Sequence, residues 1–137
     1  MPTWAKILLA VLLVSIVGVG VCVYLGFHWV MQNKDTLASA VGEGKKYGEG
    51  KTVGQCVNAS LAKLNGDLTS RLTATVFNAA CLQSASDTAT ECATIPTGMF
   101  NRALWAKNKC GSHPDPQGCQ QIYQSVWQHC DSRAAGH

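Results

Sequence analysis

The chain has 137 residues, 47% of them hydrophobic and 14% charged, and 11 basic against 8 acidic side chains give a formal net charge of +3. With no dense basic patch in that balance, nucleic acid is not expected as a partner. About a hundred residues remain beyond one long apolar run, enough for one small domain and not two.

That run is Ile7 to Met31, in which only Ser15, Tyr24 and His28 are neither apolar nor small. As a helix rising about 1.5 Å per residue it reaches roughly 37 Å, enough to cross a hydrocarbon core of about 30 Å with some tilt. Trp4 and Trp29 stand where interfacial aromatics sit at headgroup depth. The expectation is a cytoplasmic tail over 1–6 and a transmembrane helix over 7–31. The run is too long for a cleavable signal, and Ala38-Ser39-Ala40, although it resembles a cleavage site, lies too far beyond it across Lys34 and Asp35. Orientation poses a conflict. Lys6 alone precedes the run while Lys34, Lys45, Lys46 and Lys51 follow it, which counted naively puts the carboxyl-terminal part inside. The cysteines beyond the run argue the reverse, and long segments translocate largely regardless of charge.

Within the run Ser15, Gly18, Cys22 and Gly26 recur at three, four and four residues and so share one helix face. Small residues at that spacing let a second helix approach closely in lipid. The expected partner is another membrane protein subunit or a second copy of this chain. His28, with no second ligand near it, is read as reaching the interface rather than holding a metal or tetrapyrrole.

Residues 32–54 form a glycine-rich stalk with Gly42, Gly44, Gly48, Gly50 and Gly54. Each glycine in a helix costs about 1 kcal/mol relative to alanine, so the segment is either a flexible tether or a helix whose glycine face needs a close-packed neighbour. The absence of proline and the Lys45–Glu49 spacing tip the reading towards a helix.

Residues 55–131 are expected to form a disulfide-bonded helical domain, with 132–137 as a flexible tail. Val53, Cys56, Val57, Ser60, Leu61 and Leu64 repeat with helical period, and Asn65-Gly66-Asp67 ends that helix. Asp67 caps a second helix carrying Leu68, Leu72, Val76, Ala79 and Ala80 on its face, with Phe77 and Cys81 on the flank. Thr88 with Glu91 fits a capping box for a short turn bearing Cys92, stopped by Pro96. Thr97 is the expected cap of a third helix whose face is Met99, Phe100, Ala103, Leu104, Ala106 and Cys110, closed by Gly111. Asp115 and Pro116 start a fourth, with Cys119, Ile122, Tyr123, Val126 and Cys130 on its face. No period-two run competes with these, so the fold class is all-α.

Six cysteines in a small domain predict a disulfide framework and hence an oxidising compartment. Cys119 and Cys130 lie about three turns apart on one helix, too far to bond each other. Cys110 with Cys119 closes a helical hairpin and Cys81 with Cys92 flanks a polar loop. Cys56 is then left to join Cys130.

Chemistry is harder to find. Cys110, His113, Cys119 and His129 lack the paired spacing of a zinc site, and oxidised cysteines ligate no metal. A cysteine nucleophile with His113 or His129 needs a reduced, activated thiol that nothing singles out. Asp87, Glu91 and Asp115 read as helix caps rather than an acid and base pair. Trp105 and Trp127 lie off the main apolar stripes. They mark an interaction surface if exposed and a wider core if buried. Asn58-Ala59-Ser60 is a glycosylation sequon, but its place on a helix argues against use.

The sequence thus predicts an all-α, single-pass protein with a signal-anchor helix, a stalk and a small disulfide-stabilised four-helix domain outside the cytoplasm, a bacterial inner membrane facing the periplasm being favoured. The expected role is an accessory or interaction subunit of a membrane assembly, without cofactor, metal or catalytic residue. The alternative is a tethered domain that binds a lipid or a small apolar ligand.

Overall fold

The computed structural model describes residues 3–86 and 88–136, and among them the chain is all-α, with seven helices and no strand. It divides into two units, one through Asp35 and one from Thr36. Met1, Pro2, Asp87 and His137 lie outside the described residues, and with them the first two residues of the expected cytoplasmic tail, the capping role expected of Asp87 and the last residue of the expected carboxyl-terminal tail.

In the first unit α1 (Thr3–Gln32) takes in Trp4 and Lys6 as well as the whole apolar run. The stretch Trp4–Gln32 is long and apolar enough to cross a membrane. Ser15 donates its hydroxyl proton to the Val11 carbonyl at 2.9 Å, so this polar side chain is satisfied within its own helix and adds no cost to burial in lipid. Asn33 ends the helix: its side-chain amide donates to the Trp29 carbonyl at 2.9 Å, and its backbone N–H reaches the same oxygen at 3.1 Å.

The second unit opens with α2 (Lys34–Gly48), whose charges suit its dipole, Asp35 in the first turn and Lys45 and Lys46 in the last. The glycine face has a neighbour in the same chain. A β-carbon at Gly44 would stand 2.4 Å from the Phe77 carbonyl oxygen, and one at Gly48 2.3 Å from that of Cys81. Only glycine lets α2 approach so closely, and the compact unit therefore begins at Thr36 rather than at residue 55.

Helix α3 (Val53–Leu61) is started by Thr52 and Gln55, which bond each other's backbone N–H groups in a capping box that hydrophobic periodicity did not reveal. Asn65-Gly66-Asp67 makes the turn, with Gly66 at φ 91°, a conformation open chiefly to glycine. Asp67 caps α4 (Leu68–Ser84) by accepting from the Ser70 N–H at 2.8 Å. The buried face of α4 is only partly the expected one: Ala80 is buried and Val76 packs against the core, but Leu68 is exposed, and Ala74, Phe77, Asn78, Cys81 and Leu82 are buried as well. Close approach of α2 and α3 selects small and short side chains there, and Asn78 is admitted because its polar atoms are met. Ser60 donates to its Oδ1 at 3.1 Å, and its amide nitrogen donates to the Ser125 hydroxyl at 2.7 Å, tying α3, α4 and α7 together.

The short α5 (Ala89–Cys92) and α6 (Met99–Lys109) follow. Neither uses its expected cap. Thr88 gives α5 no side-chain bond and instead accepts from Arg133 at 2.7 Å, while the cap of α6 is Gly98 at φ 86°, not Thr97. Asp115 and Pro116 begin α7 (Pro116–Ala135) as anticipated, Asp115 accepting from the Gly118 N–H at 3.1 Å. Helix α7 runs on to Ala135, so most of the expected tail is helical and Arg133 is engaged with Thr88. It is the hub of the unit: α3, α4, α5 and α6 all pack on it. Ile122 and Val126 lie in the core with Val53, Val57, Phe77 and Leu82.

All six cysteines of this unit are bonded, with Cα separations of 5.5 to 5.7 Å. Cys110–Cys119 is the expected hairpin closure. The other two pairings are Cys56–Cys81 and Cys92–Cys130, which corrects the Cys81–Cys92 and Cys56–Cys130 reading. Helices α3 and α4 run antiparallel about the Asn65-Gly66-Asp67 turn, so Cys81, near the end of α4, lies level with Cys56, near the start of α3. Cys92 on α5 is then free to staple the far end of α7.

Candidate functional site

Three surfaces remain once the core is accounted for. The first is the outward side of α6. Of its expected apolar face only Ala106 and the following Cys110 are buried, whereas Met99 is 85% exposed, Phe100 74% and Leu104 42%. Ala103 and Lys107 are exposed beside them. Helical spacing puts these five residues on one side, and α6 packs on α7 with its other side. The helix is held there by Cys110–Cys119 and by Arg102, whose guanidinium donates to Asp131 at 2.8 Å and to the Pro96 carbonyl at 3.0 Å. The exposed face is thus carried on a rigid support.

The second surface is a groove of about 510 Å³ bounded by α3, α5 with the residues after it, α6 and α7. Val57, Ile95 and Val126 supply apolar lining, and Glu91, Trp105, Lys109 and Tyr123 supply polar and aromatic groups. Trp105 meets Tyr123 edge to face with centroids 5.1 Å apart, which fixes both rings. Burial, and next the negative charge of Glu91, push the Tyr123 hydroxyl above its usual range, so it stays protonated and able to donate. Gly54 of α3 keeps room for the acid: a β-carbon there would stand 3.3 Å from the Glu91 carboxylate.

The third, of about 590 Å³, lies among α2, α3 and α4, with Lys46, Lys51 and Lys63 around Tyr47 and Phe77. Two of its cations are already committed. Lys63 pairs with Glu43 at 3.1 Å and sits 4.6 Å from the centre of the Phe77 ring, and Lys51 sits 5.5 Å from that of Tyr47.

The residues anticipated from sequence fall in different places. Ser15, Gly18, Cys22 and Gly26 are exposed along α1, Cys22 is a free thiol, and nothing lies within 4 Å of where a β-carbon of Gly18 or Gly26 would be. Trp105 and Trp127 are both half-buried, and Trp105 belongs to the groove wall. Among the described residues no group of three His, Cys, Asp or Glu side chains gathers. His113 accepts from the Asp115 backbone N–H at 3.0 Å, a local turn contact. Periodicity missed the outward turn of Met99, Phe100 and Leu104, because it reports an apolar face without saying whether a neighbour covers it. Glu91, Lys109 and Tyr123 come together only in three dimensions. No protein-family model, curated protein or solved structure matches the chain.

Proposed function

We propose that this protein is a single-pass, membrane-anchored interaction subunit whose disulfide-stapled domain faces a compartment outside the cytoplasm and docks one partner, a membrane protein with its own transmembrane helix. The observation that carries this reading is the exposed apolar side of α6. Met99, Phe100 and Leu104 form a patch that is exposed among the described residues, and patches of that kind on a rigid helix mark protein contact surfaces. A second, independent face supports the same occupant. The Ser15, Gly18, Cys22 and Gly26 side of α1 is open, and a helix in lipid gains close packing there. One partner that spans the bilayer answers both. The three disulfides support an oxidising location for the domain.

The test uses a photo-crosslinking amino acid at Phe100 and, separately, at Val19 beside the α1 stripe, with the full chain in its native membrane. The same partner, identified by mass, is expected from both positions. Gly18→Ile with Gly26→Ile weakens the second adduct, and Met99→Ser with Leu104→Ser weakens the first. Adducts to lipid alone at Phe100, or different partners at the two positions, overturn the proposal.

A further inference from the structure

We infer that the groove among α3, α5, α6 and α7 is a binding site for a small zwitterion with an apolar body, of the class of a free aliphatic amino acid or a very short peptide. The groove lies on the opposite side of α6 from Met99, Phe100 and Leu104, because Trp105 and Lys109 are one turn apart on the other flank of that helix. This site is therefore separate from the proposed docking face.

The argument rests on what the groove's polar groups do not do. Among the described residues, no hydrogen bond or ion pair engages the Glu91 carboxylate, the Lys109 ammonium, the Tyr123 hydroxyl or the Trp105 ring nitrogen. Glu91 and Lys109 line the same groove without coming within the 4 Å of a salt bridge, so each offers its charge to a third group. An acid and a base at separate points of one groove match a ligand that carries an ammonium and a carboxylate. A simple amine would meet Lys109 as a like charge, and a simple carboxylate would meet Glu91. Val57, Ile95 and Val126 provide the apolar lining for the ligand's body, and Trp105 and Tyr123 provide an aromatic wall with two donors. A volume of about 510 Å³ is within the range that small-molecule sites occupy. The acid and base at separate points of the groove thus favour a zwitterion over an uncharged acyl chain.

The experiment is calorimetric titration of the full chain in detergent micelles with L-leucine, followed by N-acetyl-leucine, which lacks the ammonium, and leucinamide, which lacks the carboxylate. Saturable binding of L-leucine is expected, weakened by about tenfold or more with either blocked analogue. Glu91→Gln and Lys109→Met should each weaken L-leucine binding by a similar factor. Glu91→Gln should restore part of the affinity for N-acetyl-leucine relative to L-leucine, and Lys109→Met should do the same for leucinamide. Both side chains are at the surface of the groove, and unchanged circular dichroism confirms that the variants fold. Absence of saturable binding by L-leucine, L-valine and dileucine, or binding indifferent to blocked ends and to both substitutions, overturns the inference. Neither result bears on crosslinking at Phe100, so this inference and the proposed function fail separately.

Discussion

Helices α6 and α7 are both amphipathic and are joined by the same short loop, yet they use their apolar faces in opposite ways. In α7 the face carrying Cys119, Ile122 and Val126 is buried, because α3, α4, α5 and α6 all meet on it. In α6 the corresponding residues, Met99, Phe100 and Leu104, stand in the open, because α6 packs on α7 with the side that carries Ala106. A periodic apolar stripe says which way a helix could face a core. It carries no information on how many cores are offered, and a domain of about a hundred residues has only one.

That comparison breaks most directly by truncation. Ile122→Ala, at a fully buried position, should destabilise the domain by about 2–5 kcal/mol through lost transfer energy and a residual cavity. Leu104→Ala, a change of similar size on α6, should stay within about 0.5 kcal/mol. Urea unfolding of the full chain in micelles, followed by near-ultraviolet circular dichroism, measures both. If Leu104→Ala approaches the cost of Ile122→Ala, the face of α6 is packed and the docking proposal loses its main support.

The disulfides sharpen the same contrast with a smaller difference. Cys56–Cys81 holds α3 to α4 across 25 residues of chain, while Cys110–Cys119 holds α6 to α7 across 9. Loop-closure entropy assigns about 3.5 kcal/mol to the first and about 2.7 to the second. Replacing each pair by alanines should therefore cost more on the α3–α4 side through loop closure alone, since all four cysteines are fully buried and lose similar packing. Equal midpoints for the two double variants would show that α6 is as integral to the core as α3.

The parts of this architecture that were readable from sequence are those set by local chemistry. Asp67 and Asp115 cap the helices they were expected to cap, the face of α7 is the expected one, and Cys110 pairs with Cys119 because a nine-residue span leaves little choice. The misses share a different cause. Thr88 makes no side-chain bond to α5 because its backbone is already in the helical region and its hydroxyl is turned to Arg133, 45 residues away, and Cys81 turns to Cys56 because the α3–α4 hairpin fixes which way it faces. Gly44 and Gly48 announced a close approach, but only the fold supplies Phe77 and Cys81 as what they approach. The groove belongs to the same class. Glu91 reads as a cap in isolation and lines the groove only because the fold brings its carboxylate beside Gly54 of α3.

The smallest expected effect concerns the two ends of α7, which differ in the charge they tolerate. At the start, Asp115 is 4% exposed and the hydrogen bond from Arg71, at 2.9 Å, holds its carboxyl below the usual 3.8, with the Gly118 N–H adding to this and burial opposing it. Towards the other end the Nε2 atom of His129 is buried, with no hydrogen-bond partner among the described residues, and burial followed by the charge of Arg133 pushes the imidazole below its usual 6.5. For both groups the unfolded chain takes up its proton before the folded one, so stability falls as the pH drops. The windows differ: His129 begins to act below about pH 6.5, whereas Asp115 acts only below about pH 3.8. Between about pH 7 and pH 5.5 the unfolding midpoint should decline gently, and His129→Phe, which cannot charge, should flatten that decline. Asp115→Asn should leave it in place, since the carboxylate is still ionised there in both states. A decline that persists in His129→Phe would place the neutral-pH sensitivity elsewhere and leave α7 without the asymmetry between its ends.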